Sequence, residues 1–356
     1  MRIRSLVFRP GDRSISNDEL AEQVVASSRP LGAADERRIR RRLSRLLSYV
    51  GARGRYWTSD DGAVRDAVAG AIEEALAAAS LSPGDIDVLI STSVDRAVLE
   101  PAQAAVIANL AGMFDCSAFD VLEGCNGWLR GAQIAQALLE TDGARRVLLV
   151  SAEFTTSEGG AIRPDQYRVS SLADLRRRFP AMTIGDGVAV TILEPGDTPW
   201  RFSFSARSDL LPLCYATLPT GRRYVADEAR GAWPDGIGFV ADGPGLFHHA
   251  DRSLHELAAR DAIDLGGFDE VVVHAATGRR WDEGFQEYGV ARVRNVFPDF
   301  GNVVSASIPA GLTTIDPTPG PRRVLAAGAS AGMSFALARF SFDPTVIVPP
   351  ARRPAG

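Results

Sequence analysis

Two observations predict an α/β fold in which the second half repeats the first. Segments of helical and strand periodicity alternate along the chain, and the same order of elements returns after Asp251. In the first half, apolar spacing predicts a helix over Val64–Ala79, a strand over Ile86–Ser91 and a helix over Ala102–Gly112. A buried strand follows at Ala118–Val121, then a helix over Asn126–Leu139 with Leu129, Ala132, Ala135 and Leu139 on one face. The strands Arg146–Ser151 and, past an insertion, Val188–Leu193 complete the half. The second half reads as a helix to Ala262, a strand Glu270–His274, a helix Arg279–Tyr288 and a weak strand near Val293. A helix from Val303 and strands Val324–Ala327 and Ser334–Phe340 finish it. This alternation favours mostly parallel pairing, one sheet per half, and layers of helices on the sheets. The expected division is 1–195 and 196–356. The spans Glu158–Arg178 and Leu211–Gly243 are long and rich in Gly, Pro and Arg, the character of insertions that cover a substrate. Beyond Pro344 the Pro-rich tail reads as an unpacked end.

Composition narrows the chemistry. The chain has 356 residues, of which 46% are hydrophobic, enough for a substantial core. Its net charge is -5, and it contains no lysine, so all 39 basic residues are arginines. Schiff-base lysine chemistry and a Walker lysine are thereby excluded. Three cysteines do not make a disulfide framework in a chain of this length, which favours a reducing cytoplasmic setting. No apolar run approaches the length of a membrane span, and the arginine-bearing start lacks the apolar block of a signal peptide. An acidic chain with no recognition motif does not suit nucleic acid.

Cys125 is the strongest chemical signal. In Phe119–Trp128 a short strand turns through small residues into a helix that starts almost on the sulfur, where unpaired N–H groups and the helix dipole favour a thiolate. His274 ends the apolar run Glu270–Val273, and Asn302 follows a glycine in Phe300–Val303. All three fall at element ends, Cys125 and Asn302 each opening the third helix of its half, so a pseudo-twofold relation would bring them together. The remaining histidines, His248, His249 and His255, lie near a predicted helix start without partners at metal-ligand spacing, so surface or capping roles are expected. Cys116 and Cys214 read as packing residues.

These residues, in this order and at these boundaries, resemble the thiolase superfamily, and within it the ketoacyl-ACP synthase III-like enzymes, over nearly the whole chain. Cys125 in Glu123–Trp128 matches the acylated nucleophile, His274 matches the histidine of the family's His-Gln-Ala-Asn motif, and Asn302 in Gly301–Pro309 matches its asparagine. Ile184–Gly187 and the loop Gly328–Phe335 match supporting motifs. The resemblance implies a five-layered αβαβα fold of two duplicated halves and a homodimer whose sheets pair edge to edge. It further implies acyl-CoA or acyl carrier protein thioesters as substrates, and no cofactor. By position, the backbone amides of Cys125 and Ala331 would form an oxyanion hole, with Thr277 and Arg279 near the substrate entrance. Two departures stand out: Ala275 and Thr277 replace the Gln and Asn after the histidine.

A narrower likeness, carried by Ser93–Pro101, Gly51–Trp57 and Phe179–Gly185, is to the bacterial olefin-pathway enzymes that join two acyl chains head to head. There the glutamate matched by Glu100 reaches the partner's active site as a base; otherwise Glu100 caps a helix beside Pro101. The run Arg37–Arg45, with Ile39, Leu43, Leu46 and Val50 at helical spacing, reads as the wet face of an amphipathic helix. Its alternative role is docking of an acyl carrier protein or of coenzyme A phosphates. Three functions compete: carbon–carbon condensation, acyl transfer from Cys125 to a hydroxyl or amine, and a non-catalytic synthase subunit. Asn302 favours the first, and the arginine-only composition with the departures at Thr277 favours specialised metabolism.

Overall fold

Two five-stranded sheets with the same pairing pattern form the frame. The computed structural model describes residues 1–28, 31–157, 160, 162, 164–216, 239–290 and 292–349. The strands are β1 (Arg2–Pro10), β2 (Arg13–Ser16), β3 (Gly54–Trp57), β4 (Val88–Ser91), β5 (Ser117–Asp120), β6 (Val147–Glu153) and β7 (Gly187–Glu194). After these come β8 (Arg201–Ala206), β9 (Cys214–Ala216), β10 (Phe239–Ala241), β11 (Glu270–Val273), β12 (Val293–Arg294), β13 (Arg322–Ser330) and β14 (Ser334–Phe342). The helices are α1 (Asn17–Ser27), α2 (Ala33–Val50), α3 (Asp61–Ala79), α4 (Gln103–Leu110), α5 (Gly127–Glu140) and α6 (Leu172–Arg178). In the second half they are α7 (Gly243–Arg260), α8 (Arg280–Gln286), α9 (Phe297–Phe300) and α10 (Ser307–Leu312).

The first sheet has the order β1-β7-β6-β4-β5 and the second β12-β11-β13-β14-β8. In each, three strands run parallel and the last two pair antiparallel, so β4, β5, β6, β7 and β1 correspond to β11, β12, β13, β14 and β8. The duplication read from the sequence is therefore a duplication of sheet topology. Pairing is less uniformly parallel than expected, because each half ends in a hairpin-like pair and carries an edge strand, β1 or β8, that the sequence reading left out. Both mix apolar residues with Arg or Ser, which weakens a buried-strand signature.

Five layers follow from which faces are apolar. Val68, Ile72 and Ala75 of α3, with Ala104 and Ile107 of α4, cover the outer face of the first sheet. Trp128, Leu129 and Ala132 of α5, with Ile308 and Leu312 of α10, fill the slab between the sheets against Leu149, Val272 and Ala326. Buried Trp128 also donates from Nε1 to Thr191 Oγ1 at 3.0 Å, which satisfies its one polar atom. On the outer face of the second sheet, α7 packs on β14 and β8 while α8 lies by β12. The helices begin and end where local chemistry directs. Ser16 and Glu19 form a reciprocal cap on α1, Asp60 caps α3, and Gly51, at φ 77°, ends α2.

The tail is packed, contrary to expectation, as far as the described residues reach. Val348 N–H donates to the Leu6 carbonyl at 2.9 Å and Ile347 pairs with Leu6. Pro350 and Pro354 lie outside the described residues, as does most of the Leu211–Gly243 span. Within the other insertion, α6 is a regular helix capped by Ser171.

Candidate active site

Cys125 stands in a 3-10 turn, Gly124–Asn126, that runs directly into α5. Gly124 has φ +49°, which favours glycine, and a Cβ there would lie 2.6 Å from Ser330 Oγ, so any other residue would be strained and would displace that hydroxyl. The turn is tied to the second half: Ser330 Oγ donates to the Glu123 carbonyl at 2.7 Å, and buried Asn126 Nδ2 donates to the Ser334 carbonyl at 3.0 Å. The backbone N–H groups of Cys125 and Ala331 lie against the sulfur and lower its pKa. Burial is the larger effect, and with the nearby Cys214 and Glu153 it pushes the Cys125 thiol well above the ordinary thiol range. The helix start therefore does not make the resting cysteine a thiolate, which corrects the expectation drawn from sequence. Desolvation outweighs a partial charge.

His274 follows β11 and Asn302 follows Gly301. Asn302 Oδ1 accepts from Val304 N–H at 2.9 Å and faces His274 Nε2 at 3.3 Å. Because the amide oxygen is fixed by a backbone donor, His274 Nε2 carries the hydrogen in this contact, and Asn302 Nδ2 is left without an acceptor among the described residues. Burial lowers the His274 pKa to about 4, opposed by Asn302 and the Ala329 carbonyl, so the ring is neutral at physiological pH. Two neutral donors thus share one corner of the site. Val304, at φ 46°, holds a left-handed conformation unusual for a β-branched residue.

The first half also holds Asn302 in place. Asn302 N–H donates to the Thr183 carbonyl at 2.8 Å and Gly185 N–H donates to the Asn302 carbonyl at 3.1 Å. A Cβ at Gly185 would lie 2.0 Å from the Phe300 carbonyl oxygen. The Ile184–Gly187 motif therefore serves to let two chains from different halves pass in contact. The next residue, Asp186, is fully buried and accepts from Thr58 N–H and from both donors of Thr156, with its pKa pushed up to about 7 by burial.

Cys125, His274, Asn302 and Ala331 line a single cavity of about 1520 Å3. Its mouth carries Arg42, Arg45 and Tyr49 of α2 and Arg176 and Arg177 of α6. The two halves thus deliver their predicted residues to one place. Other expectations need correction. Thr277 is buried against the Val50 carbonyl and does not line the cavity. Arg279 is exposed beside Gly51, and its neighbour Arg280 lines the cavity instead. Glu100 lies on the exposed segment 96–101, away from the cavity of its own chain. Cys214 is not simply a packing residue: it lines the cavity, and burial raises its thiol pKa to about 12. His248 and His255 lie within α7, not at its start, and line the same cavity.

Sequence reasoning missed Glu153. It is fully buried, accepts from Val94 N–H at 3.1 Å and from Ser305 Oγ at 2.5 Å, and burial pushes its pKa up to about 8. A carboxylate closing the apolar run Val147–Ala152 was the available signal.

Fold and site together define a thiolase-fold protein with a Cys–His–Asn centre. In sequence the chain is similar to β-ketoacyl-[acyl-carrier-protein] synthase III of Neisseria meningitidis serogroup B, with 26% identity over 315 residues, covering 86% of this chain and 87% of the relative. It is also similar to synthase III 3 of Streptomyces coelicolor, with 29% identity over 282 residues, covering 75% and 78%. Among solved structures, a variant of Xanthomonas campestris OleA superposes with a TM-score of 0.77 at 20% identity, covering 95% of this chain and 97% of that one. A 3-oxoacyl-(acyl-carrier protein) synthase of Burkholderia xenovorans gives 0.77 at 22% identity, covering 98% and 95%. No family model matches the chain. The chain is thus synthase III-like in sequence and OleA-like in fold, as the motifs implied.

Proposed function

We propose that this protein is a ketosynthase III-like condensing enzyme that joins two acyl thioesters through an acyl-enzyme on Cys125. The convergence of Cys125, His274 and Asn302, drawn from two halves onto one cavity, carries this reading. In the first half-reaction the Cys125 sulfur attacks the thioester carbonyl of the donor. The oxyanion forms against the N–H groups of Cys125 and Ala331, and its collapse expels the donor thiol, which takes up the proton lost from Cys125. In the second, Asn302 Nδ2 donates to the carbonyl oxygen of the incoming thioester, which becomes an enolate, and the His274 Nε2 hydrogen turns from Asn302 Oδ1 onto the same oxygen. Its α-carbon attacks the Cys125 thioester and releases the thiol. The carbanion arises either by loss of carbon dioxide from a malonyl unit or by loss of an α-proton to Glu100 of a second copy. The unpaired Nδ2 of Asn302 supports condensation over transfer to a hydroxyl or amine, which has no enolate to hold.

The donor is read as acyl-CoA. Arg42, Arg45, Arg176 and Arg177 are exposed at the cavity mouth without an acidic partner among the described residues, a setting that suits phosphate groups. The same rim suits the acidic surface of an acyl carrier protein. Each half, 1–195 and 196–356, acts as one thiolase-like unit. A homodimer is supported by β5, whose outer edge has no pairing strand among the described residues. Around it Leu99 is 90% and Phe114 80% exposed. No helix among the described residues is long and apolar enough to cross a membrane, in keeping with a cytoplasmic enzyme.

Intact-mass measurement with a panel of acyl-CoA thioesters tests the reading. One acyl group should add per chain and vanish in Cys125→Ala, and a second thioester should then yield a β-keto product. Undiminished labelling in Cys125→Ala would overturn it.

A further inference from the structure

Two turns meet beside the Cys125 sulfur. One is Gly124–Asn126, which carries the nucleophile; the other, residues 331–333, joins β13 to β14 and carries Ala331. The second turn is not shaped by its own sequence. Gly332 has φ +75° and Met333 φ +58°, and a methionine in the left-handed region persists only where its surroundings hold it there. Two amides of this turn have backbone acceptors: Gly332 N–H donates to the Cys214 carbonyl and Met333 N–H to the Ser330 carbonyl, each at 3.1 Å. The third, Ala331 N–H, lies against the sulfur.

Glu123, the residue before the nucleophile turn, holds both sides of this hairpin. Its carbonyl accepts from Ser330 Oγ at 2.7 Å, and its carboxylate accepts from Ser334 Oγ at 2.5 Å. Ser330 ends β13, Ser334 begins β14 and the two pair with each other in the sheet, so the bonds to Glu123 clamp the hairpin on either side of Ala331. The carboxylate is itself fixed by Arg130 of α5 through Nε and Nη2, and the Arg130 guanidinium stacks over Phe204 of β8, 3.6 Å from the ring centre. Asn126 completes the set. Its Nδ2 donates to the Ser334 carbonyl at 3.0 Å, and a Cβ at Gly328 would lie 2.1 Å from its Oδ1. The two turns approach so closely that a Cβ on Gly124 would sit 3.9 Å from Ala331 N. Glu123 and Ser334 do not line the cavity, so they act on the reaction only through the backbone they hold.

We infer that Glu123 is a positioning residue which, through Ser330 and Ser334, fixes the Ala331 amide where the thioester oxyanion forms. The inference rests on the acyl-enzyme step of the proposed function and not on condensation. An oxyanion donor contributes fully only when it is held in place before the charge develops, and this turn takes its shape from Glu123 and its neighbours.

Ser330→Ala and Ser334→Ala each remove one tie and add no bulk, and Glu123→Ala frees Ser334 and Arg130 together. Loading of Cys125 by acetyl-, hexanoyl- and dodecanoyl-CoA is followed by intact mass in single turnover. In parallel, alkylation by iodoacetamide is read at the Cys125 peptide. Alkylation is displacement at a saturated carbon and forms no oxyanion, so it reports the thiol alone. Ser330→Ala and Glu123→Ala should each lower the maximal loading rate about tenfold or more, with half-saturating acyl-CoA within about twofold and alkylation within about threefold of the wild type. Ser334→Ala, the mildest change, should show the same split if Glu123→Ala lowers Tm. Loading within about threefold of the wild type in all three variants would overturn the inference and leave the proposed function standing. Alkylation that changes as much as loading, in either direction, marks a disturbed pocket and also overturns it. The expected split without any β-keto product keeps the inference and removes condensation. A wild-type Cys125 that none of the three acyl-CoA thioesters loads removes both.

Discussion

At the scale of single residues, the site works by neutral donors and a reluctant thiol. His274 has its pKa lowered to about 4 from an ordinary value of 6.5. Between those values the unfolded chain binds more protons than the folded one, so this group makes stability fall as pH drops from 6.5 toward 4, and it contributes no pH dependence above that window. The same shift makes an activity prediction: His274 adds no step near 6.5 to the acid limb of the condensation rate, and its own protonation is felt only as pH approaches 4, as a pH profile of kcat/KM would show. Asn302→Ala should cost condensation on the order of 100-fold or more while leaving Cys125 acylation intact, because only the second half-reaction uses its Nδ2. Equal losses in both steps would count against the assignment. That Cys125, His274 and Asn302 line one cavity was legible from their motif positions. The direction of the Cys125 pKa was not, since it depends on how deeply the fold buries the sulfur and on Cys214 and Glu153, which are far away in sequence.

Secondary-structure elements decide how those residues are aimed. Helices and strands with one continuous apolar face, such as α3, α5 and β11, were readable to within a few residues. The edge strands β1 and β8 were not, because a strand covered on one face and interspersed with Arg or Ser has no continuous apolar run. Thr277 and Arg279 illustrate a finer limit. α8 starts at Arg280, so a one-residue difference in where the helix begins decides which arginine faces the cavity. Sequence spacing fixes the neighbourhood but not the azimuth. At this scale Gly185→Ala is the informative substitution. Its Cβ would meet the Phe300 carbonyl oxygen at 2.0 Å, and relief requires the strand-like contact with Asn302 to separate. The expected outcome is a stability loss of roughly 1–3 kcal/mol, read by chemical denaturation, together with a condensation defect larger than the acylation defect.

For the whole molecule, the repeated sheet topology explains why residues 125, 274 and 302 meet. Equivalent element ends in two pseudo-symmetric halves face each other across the helices α5 and α10. That much followed from seeing the same order of elements twice. What the chain does not encode locally is the proposed contact with a second copy. Phe114→Asp, on the exposed apolar ground beside β5, should convert a dimer to a monomer in sedimentation velocity. If Glu100 acts across that contact, the monomer retains Cys125 acylation and loses condensation of unactivated acyl chains. A monomeric wild type, or a Phe114→Asp dimer with full turnover, would remove this role for Glu100.

The backbone bonds between Asn302 and the Thr183–Gly185 segment join positions more than a hundred residues apart, and Glu153 grips Ser305 over a similar distance. During synthesis, the nucleophile emerges long before its two donors exist, and it acquires its finished surroundings only when the last strands dock. Reactivity of this thiol toward acyl donors is accordingly a late reporter of maturation: a chain arrested after its first half would carry the cysteine yet have no means of making a carbon–carbon bond.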